Sequence, residues 1–282
     1  CKGMKPFYYF CEDVEERYNH RTVDNGSAGL NDLPNNWVHH NALSVFGKDY
    51  SKMNEEEQRQ ANGVLDYSQW SPPPYKEYYK NDEFVFGKPI IVVSNKISMD
   101  HQKEPHSFFD LNTLYEIFNY LTENGYSVIY KRPKMDEKEF TIDQNEHMTL
   151  SAGYTISANV DGLGVIDDYQ LTNYYDDVYL IDDLFEKSKY SANETQLKIF
   201  ANAEGFVSIA GGNGIFCSYF GKINVTYVTT SGELREDYFK KDGYYQKLSD
   251  CDVIPIRDSE TDIKKRGYNN YEAVLNKMKE VF

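Results

Sequence analysis

The residues best suited to chemistry are a glycine-rich turn and a pair of basic residues. Gly211-Gly212-Asn213-Gly214 leads from an apolar strand pattern into a short helix, which directs backbone N–H groups and the positive helix end at one spot. Lys131 and Arg132 directly follow another predicted strand. Because both side chains bind phosphate groups, the two features together predict a site for a phosphate or diphosphate. The alternative is a plain tight turn in which the glycines only reverse the chain.

The pattern around this turn also disfavours two common nucleotide-binding functions. It is neither the G-x-G-x-x-G of dinucleotide-binding folds nor a P-loop, because the third glycine and the Lys-Ser/Thr pair are missing. NAD binding and ATP hydrolysis therefore lose support. Across 282 residues, Asp plus Glu number 45 and Lys plus Arg 30, a net charge of −15. Such a surface repels nucleic-acid backbones, so no nucleic-acid partner is expected, whereas a small anion in a local pocket is compatible with it.

The composition also allows predictions about membrane spans, zinc sites and the cellular compartment. No run approaches the roughly 20 apolar residues of a membrane span, so none is predicted. The four cysteines lack C-x-x-C spacing, and the six histidines never pair with them at zinc-finger spacing. We therefore expect reduced thiols in a cytoplasmic protein without a zinc site.

Strand and helix patterns alternate from residue 88 onward. The predicted strands are Pro89–Ser94, Tyr126–Tyr130, Val178–Ile181, Gly205–Ala210, Ile223–Thr229 and Val253–Ile256. Helical spacing recurs over residues 111–121, Ser191–Ala203 and Tyr271–Phe282. This alternation predicts an α/β fold with a Rossmann-like parallel sheet in the C-terminal two-thirds. Because ligands of such sheets bind at the carboxyl ends of the strands, the glycine turn and the basic pair should meet at that edge, together with Asn95-Lys96 and Asp182-Asp183.

A composition shift predicts the domain boundary. Trp70–Tyr75 contains three successive prolines, which favour a stiff extended connector. We place the boundary near Phe86, with residues 1–86 as an N-terminal lobe and residues 87–282 as the Rossmann-like domain with a closing helix. Residues 1–86 are few for a full second domain, so this lobe is expected to be small or truncated.

These motifs, in this order, resemble the C-terminal half of GT-B-type glycosyltransferases, and are most similar to poorly characterised bacterial and viral members that build polysaccharides. The similarity covers roughly residues 88–260. It is carried by Asn95-Lys96, Arg132-Pro133, Asn193–Leu197, Phe206–Asn213 and Ser218–Gly221. The resemblance implies a Rossmann-like domain that binds a nucleotide-sugar donor and an N-terminal lobe that holds a glycan acceptor.

The resemblance also implies roles for individual residues. The residues implied to line the diphosphate and sugar of the donor are Gly211, Gly212, Asn213, Gly214 and Ser218. Asn193 or Glu194 would reach the nucleoside, and Arg132 would neutralise the leaving group. Asn95 and Lys131, which the strand pattern places at the same edge, complete the donor-binding set. No metal or cofactor besides the donor substrate is expected.

An inverting transfer also needs a base for the acceptor hydroxyl. In the N-terminal lobe, Asp24 lies in the glycine-bearing segment Asp24–Gly29, and His39 and His40 are adjacent. Asp24 is the preferred base and His39 the other candidate, although an aspartate in such a segment is also typical of a stabilised turn. His101 and His106 lie in the loop after the first strand, near the predicted donor phosphates.

The expected function is metal-independent transfer of a sugar from a nucleotide diphosphate donor to a glycan acceptor. Three alternatives stay open. A GT-A-like enzyme would hold a divalent metal with Asp250-Cys251-Asp252, but this triplet precedes its strand and so falls at the amino end. The 25 tyrosines are typical of a carbohydrate-binding protein without enzymatic activity. A pyruvyl transferase-like enzyme is the third alternative.

Overall fold

The architecture is α/β and rests on a sheet of six parallel strands. A computed structural model describes residues 52–54, 74–97, 107–132, 140–141, 149–150, 156–228, 239, 249, 251–257 and 271–282. The strands are β1 Ile90–Ser94, β2 Ser127–Lys131, β3 Phe140–Thr141, β4 Thr149–Leu150, β5 Ser157–Val160, β6 Gly164–Asp167, β7 Val178–Leu180, β8 Ala203–Ile209, β9 Ile223–Val228 and β10 Asp252–Arg257. The described helices are α1 Tyr75–Tyr79, α2 Leu111–Glu123, α3 Asp168–Thr172, α4 Ile181–Lys187, α5 Ala192–Ala201, α6 Gly212–Cys217 and α7 Tyr271–Val281.

The order of the strands identifies where a ligand would bind. The sheet runs β10-β9-β8-β1-β2-β7, and each neighbouring pair is parallel. Numbered by their position along the chain, the six strands have the Rossmann order 3-2-1-4-5-6. The order reverses between β1 and β8, and we call the carboxyl ends of these two strands the switch point. The predicted Rossmann-like parallel sheet is confirmed.

Helices cover both faces of the sheet, so its strands are apolar on both sides. On one face, α2, α3 and α7 pack on a core that includes Ile91 and Tyr130. On the other face, α1, α4, α5 and α6 pack on a core that includes Val92, Ile129 and Phe206. Side chains of successive strand residues therefore enter different cores, and this alternation decides which residues reach α6 at the switch point.

Predicted helix ends agree closely with the structure. The Asp110 carboxylate accepts a hydrogen bond from Thr113 N at 2.7 Å and caps α2, which ends at Asn124 and Gly125. Gly125 has a φ of 83°, which a glycine adopts at a helix C-terminus without strain. Ser191, the first residue of the predicted helical range, caps α5 by accepting from Glu194 N at 3.2 Å.

The longest described helix, α2, has 13 residues. In the part of the chain that the structure describes, no helix combines the length and apolar character needed to cross a bilayer.

The segment 134–177, whose elements the sequence patterns leave without an order, contains an antiparallel hairpin of β5 and β6 that leads into α3. Asp167 begins this short helix with a capping box: its carboxylate accepts from Gln170 N at 2.7 Å, and Gln170 Oε1 accepts from Asp167 N at 3.0 Å. This cap matters for the site because α3 carries Asp168, which binds a residue that follows β2.

Replacing Asp167 with Ala is expected to lower the free energy of unfolding by about 1 kcal/mol, because α3 loses its N-cap acceptor. Thermal unfolding should show a decrease of about 2–4 °C. Asp161→Ala is the matched control, since Asp161 is exposed in the hairpin turn and its carboxylate has no hydrogen bond to the described residues. Equal melting temperatures for the two variants would contradict the assigned cap.

The boundary between the units of the chain differs from the predicted one. One compact unit comprises Cys1–Ser71 and Thr141–Thr149, and the other comprises Pro72–Phe140 and Leu150–Phe282. The composition shift predicts a boundary near Phe86, but α1, which precedes Phe86, already packs in the core of the Rossmann-like domain. The ring of Tyr75 stacks on Phe220 at 5.7 Å, and the amide of Asn202 donates to Asn81 O at 2.9 Å.

Candidate anion-binding site

The turn between β8 and α6 contains three glycines, and they differ in whether the fold would tolerate a side chain at their position. Gly211 has a φ of 119°, a conformation that side-chain-bearing residues rarely adopt. A Cβ added at Gly214 would lie 2.8 Å from Ile209 O, so α6 packs on the strand end only because this residue has no side chain. Gly212 is exposed, and a Cβ there would have no atom within 4 Å. The packing of the turn therefore does not require a glycine at position 212.

Lys96 approaches this turn from the other side of the switch point. It follows β1, and its ammonium lies where a side chain of residue 211 would begin: a Cβ added at Gly211 would be 2.7 Å from Lys96 Nζ. A cation from the end of β1 and a glycine turn from the end of β8 therefore meet, as the strand order predicts. The strand pattern predicts Lys96 at this edge, although Lys96 is not among the predicted donor-binding residues.

Asn95, predicted to bind the donor, uses its amide inside the protein. Its nitrogen donates to Phe109 O at 3.1 Å and to the Tyr130 hydroxyl at 3.2 Å. Its oxygen accepts from Phe109 N at 2.9 Å and from Lys96 N at 3.0 Å. Both donors and both acceptor positions of the amide are occupied, so its side chain positions the backbone of Lys96. Its contact with a donor stays a prediction.

Lys131 reaches the glycine turn from β2. Its Nζ donates to Asn213 Oδ1 at 2.9 Å and lies 5.7 Å from the ring centroid of Phe200 and 5.9 Å from that of Phe216. Only 9% of the residue is exposed. Burial lowers the pKa of Lys131, and the nearby Cys217 and Asp182 oppose this shift in part. Lys131 and Asn213, both predicted to bind the donor, are thus in direct contact.

Arg132 points to the opposite face of the sheet. Its Nε donates to Asp168 Oδ2 at 2.6 Å and its Nη2 donates to Asp168 Oδ1 at 3.2 Å, with the arginine 2% and the aspartate 0% exposed. The Tyr130 hydroxyl also donates to Asp168 Oδ2, at 2.7 Å, and the guanidinium lies over the Tyr169 ring at 4.4 Å. The predicted convergence of both basic residues is corrected: Lys131 reaches the turn, whereas the charge of Arg132 is balanced by a buried carboxylate.

Ser218, predicted to line the donor site, lies behind α6. Its hydroxyl donates to Gly214 O at 2.9 Å and accepts from the Asn224 amide at 3.0 Å. Ser218 is fully buried. Ser218 therefore ends the helix and fixes it to the sheet with hydrogen bonds that use its hydroxyl internally; its contact with a donor stays a prediction.

A buried polar layer beneath α6 was missed by the sequence analysis. The Asn224 amide nitrogen donates to Gly214 O at 3.1 Å, and its oxygen accepts from the Ser208 hydroxyl at 2.8 Å. Ser208 and Thr226 hydroxyls are 3.2 Å apart. These contacts hold the glycine turn at a fixed height above the sheet. The available signal was the recurrence of polar residues at alternate positions of apolar strands.

The remaining donor-binding candidates lie in the first turn of α5. Asn193 is exposed and Glu194 is half-buried. Within the described segments, no hydrogen bond joins either residue to the glycine turn; Glu194 N donates to the Ser191 cap. Their predicted contact with a nucleoside stays a prediction.

The candidate base and loop histidines, Asp24, His39, His40, His101 and His106, lie outside the described residues. So does Asp250 of the D-x-D triplet. Asp252 of that triplet begins β10 and pairs with Ile223 at the start of β9, so it lies at the sheet end opposite the switch point. Among the residues that the structure describes, no group of three or more His, Cys, Asp and Glu side chains is arranged to hold a metal.

The strand order decides the fold class. The described domain is a Rossmann-like α/β domain. No family model matches the chain, and comparisons with curated proteins and with solved structures give no match.

Proposed function

We propose that the chain is a glycosyltransferase of GT-B-like architecture that transfers a sugar from a nucleotide diphosphate donor to a glycan acceptor without a metal. One observation carries the proposal. Lys96 and Lys131, from two neighbouring strands, both meet the glycine turn of a third strand at the switch point of a Rossmann-ordered sheet. Ligands of such sheets bind at this position, and two cations in an acidic protein favour a polyanionic one.

The chemistry of sugar transfer gives these cations a role. As the bond between the sugar and the diphosphate breaks, negative charge develops on the departing phosphate oxygens. The half-buried Lys96 and the buried Lys131 lie in surroundings of lower polarity than water, where a fixed charge stabilises such an anion more strongly. In this proposal Gly211 and Gly212 let the diphosphate approach the backbone closely, and Arg132 contributes through the fold rather than by contact.

The acceptor side of the proposal depends on the N-terminal lobe. We propose that the lobe holds the glycan and that Asp24 or His39 removes the proton from its hydroxyl. A cytoplasmic location and a role in polysaccharide building belong to the same proposal. Turnover of a nucleotide sugar separates this proposal from a carbohydrate-binding protein, and transfer that survives EDTA separates it from a GT-A-like enzyme.

A panel of UDP, GDP, ADP, CDP and dTDP is expected to contain at least one ligand that raises the melting temperature of the protein. Binding only to the folded state at 100 times Kd stabilises by about 2.7 kcal/mol. Lys96→Met should weaken the affinity for that ligand by about 10- to 150-fold in titration calorimetry, because one charge-assisted hydrogen bond contributes about 1.5–3 kcal/mol.

Lys222→Met provides the matched control. Lys222 forms an ion pair with Glu204 near the start of β9, at the amino end of the sheet, so the variant removes the same charge far from the switch point. It should bind as the native protein does. The proposal fails if no member of the panel binds, or if Lys96→Met and Lys222→Met have the same affinity.

A further inference from the structure

Lys131 is an unusual lysine because its charge is buried without a carboxylate partner. Within the described segments, no Asp or Glu oxygen lies within 4.0 Å of its Nζ, and the hydrogen bond that the amine donates there goes to the neutral amide of Asn213. Arg132, the next residue, has Asp168 at 2.6 Å on the other face. A buried ammonium costs free energy unless it is paired, so an ion pair for Lys131 is the interaction that its surroundings favour most.

The groups that face Lys131 come from each element packed against it. From α6 these are the Asn213 amide, the Phe216 ring and the Cys217 thiol; α5 contributes the Phe200 ring and α4 contributes Asp182. Burial raises the pKa of Cys217 to about 12, against the opposing effects of Lys131 and the Ser94 hydroxyl, so the thiol is neutral below that pH. Asp182 attracts the ammonium from beyond ion-pair distance.

We propose that the anionic ligand of the glycine turn pairs with Lys131 and that this pairing draws a proton onto its amine, so that binding and protonation are thermodynamically linked. This inference rests on the proposed function, because it needs an anion at the turn. The geometry supports it: the one hydrogen-bond partner that the described residues offer the Lys131 amine belongs to the turn itself, in the residue after the exposed Gly212.

The sign of the linkage follows from the two states. Burial among aromatic rings lowers the pKa of Lys131 in the free protein, and an anion beside the amine raises it. Between the two pKa values the complex holds more protons than its separate components. Binding therefore takes up a proton over a pH range that begins below about 10.4, the ordinary lysine pKa. The affinity decreases as the pH rises through that range.

Titration calorimetry in two buffers of different ionisation enthalpy measures the proton uptake directly. The probe is whichever of UDP, GDP, ADP, CDP and dTDP binds tightest at pH 7.5. The terminal phosphate of these probes ionises near pH 6, so a proton taken up between pH 8 and 10 is gained by the protein. We expect net proton uptake in this range, and an affinity that decreases with rising pH where uptake is greatest.

Two variants assign the proton. Lys131→Arg keeps the charge but does not titrate below about pH 12, so it should bind with no proton uptake. Lys131→Met should lose both uptake and at least tenfold in affinity. Asn213→Ala is the control at the same turn: it keeps the amine and should therefore retain the proton uptake. Circular dichroism tests whether each variant is folded.

The outcomes separate the two proposals. If no probe binds at any pH, both the proposed function and this inference fail. If a probe binds with the same observed enthalpy in both buffers, or if Lys131→Arg takes up as many protons as the native protein, the linkage is wrong and the proposed function survives.

Discussion

Arg132→Met is expected to lower the free energy of unfolding by about 3–5 kcal/mol, because it leaves the carboxylate of Asp168 buried without its cation. The Tyr130 hydroxyl, which donates at 2.7 Å, cannot replace a positive charge. In urea denaturation the midpoint should fall accordingly, and the melting temperature should decrease by about 6–20 °C.

A double variant tests whether the loss comes from the unpaired charge. Combining Arg132→Met with Asp168→Leu removes both members of the pair and should recover a large part of the lost stability, since similar-sized apolar residues often replace buried pairs without cost. The sequence-based hypothesis makes the opposite prediction, namely an intact fold with weaker binding of nucleoside diphosphates. An Arg132→Met protein of native stability and reduced affinity would restore Arg132 as the phosphate anchor.

Gly212→Val is expected to weaken nucleoside diphosphate binding by at least about tenfold while stability stays within about 0.5 kcal/mol of the native value. A side chain at Gly212 meets no protein atom within 4 Å, so the fold tolerates it, but it occupies space that the proposed diphosphate needs. Calorimetry measures the affinity and thermal unfolding measures the stability.

Gly211→Ala provides the contrast. Its φ of 119° is unfavourable for Ala, and the new methyl group would lie 2.7 Å from Lys96 Nζ, so this variant should lose stability and displace the lysine. Native affinity in a folded Gly212→Val protein would remove the turn from the proposed donor site, whatever Gly211→Ala does.

The strands of the sheet could be predicted because each one is a short apolar run between polar loops. Ile90–Ser94 is fully buried, and its neighbours at Ser127–Lys131 and Ala203–Ile209 are buried at nearly every position. Right-handed crossovers then place their carboxyl ends at one edge. The hairpin of β5 and β6 escaped prediction because its strands are half-exposed and contain no apolar run.

Side-chain roles at the site were harder to predict than the elements that carry them. Strand alternation separates Lys131 from Arg132, but which of the two reaches α6 depends on which helices cover which face. Asn95 and Ser218 were expected to contact the donor because their residue types can, yet their polar groups bind the backbone of Phe109 and Gly214 instead. Only coordinates show whether the hydrogen bonds of a polar side chain are used internally.

The pairing of β1 with β8 has a consequence for biosynthesis. Ile90 pairs with Ala203, so the ribosome makes β1, β2 and β7 before β8, the strand that pairs with the other edge of β1. Until then the apolar edge of β1 is unpaired and exposed, so it can pair with non-native strands unless chaperones shield it. Lys96 and Gly211 lie on opposite sides of this seam, so the anion site can form only after β8 and the turn that follows it have been made.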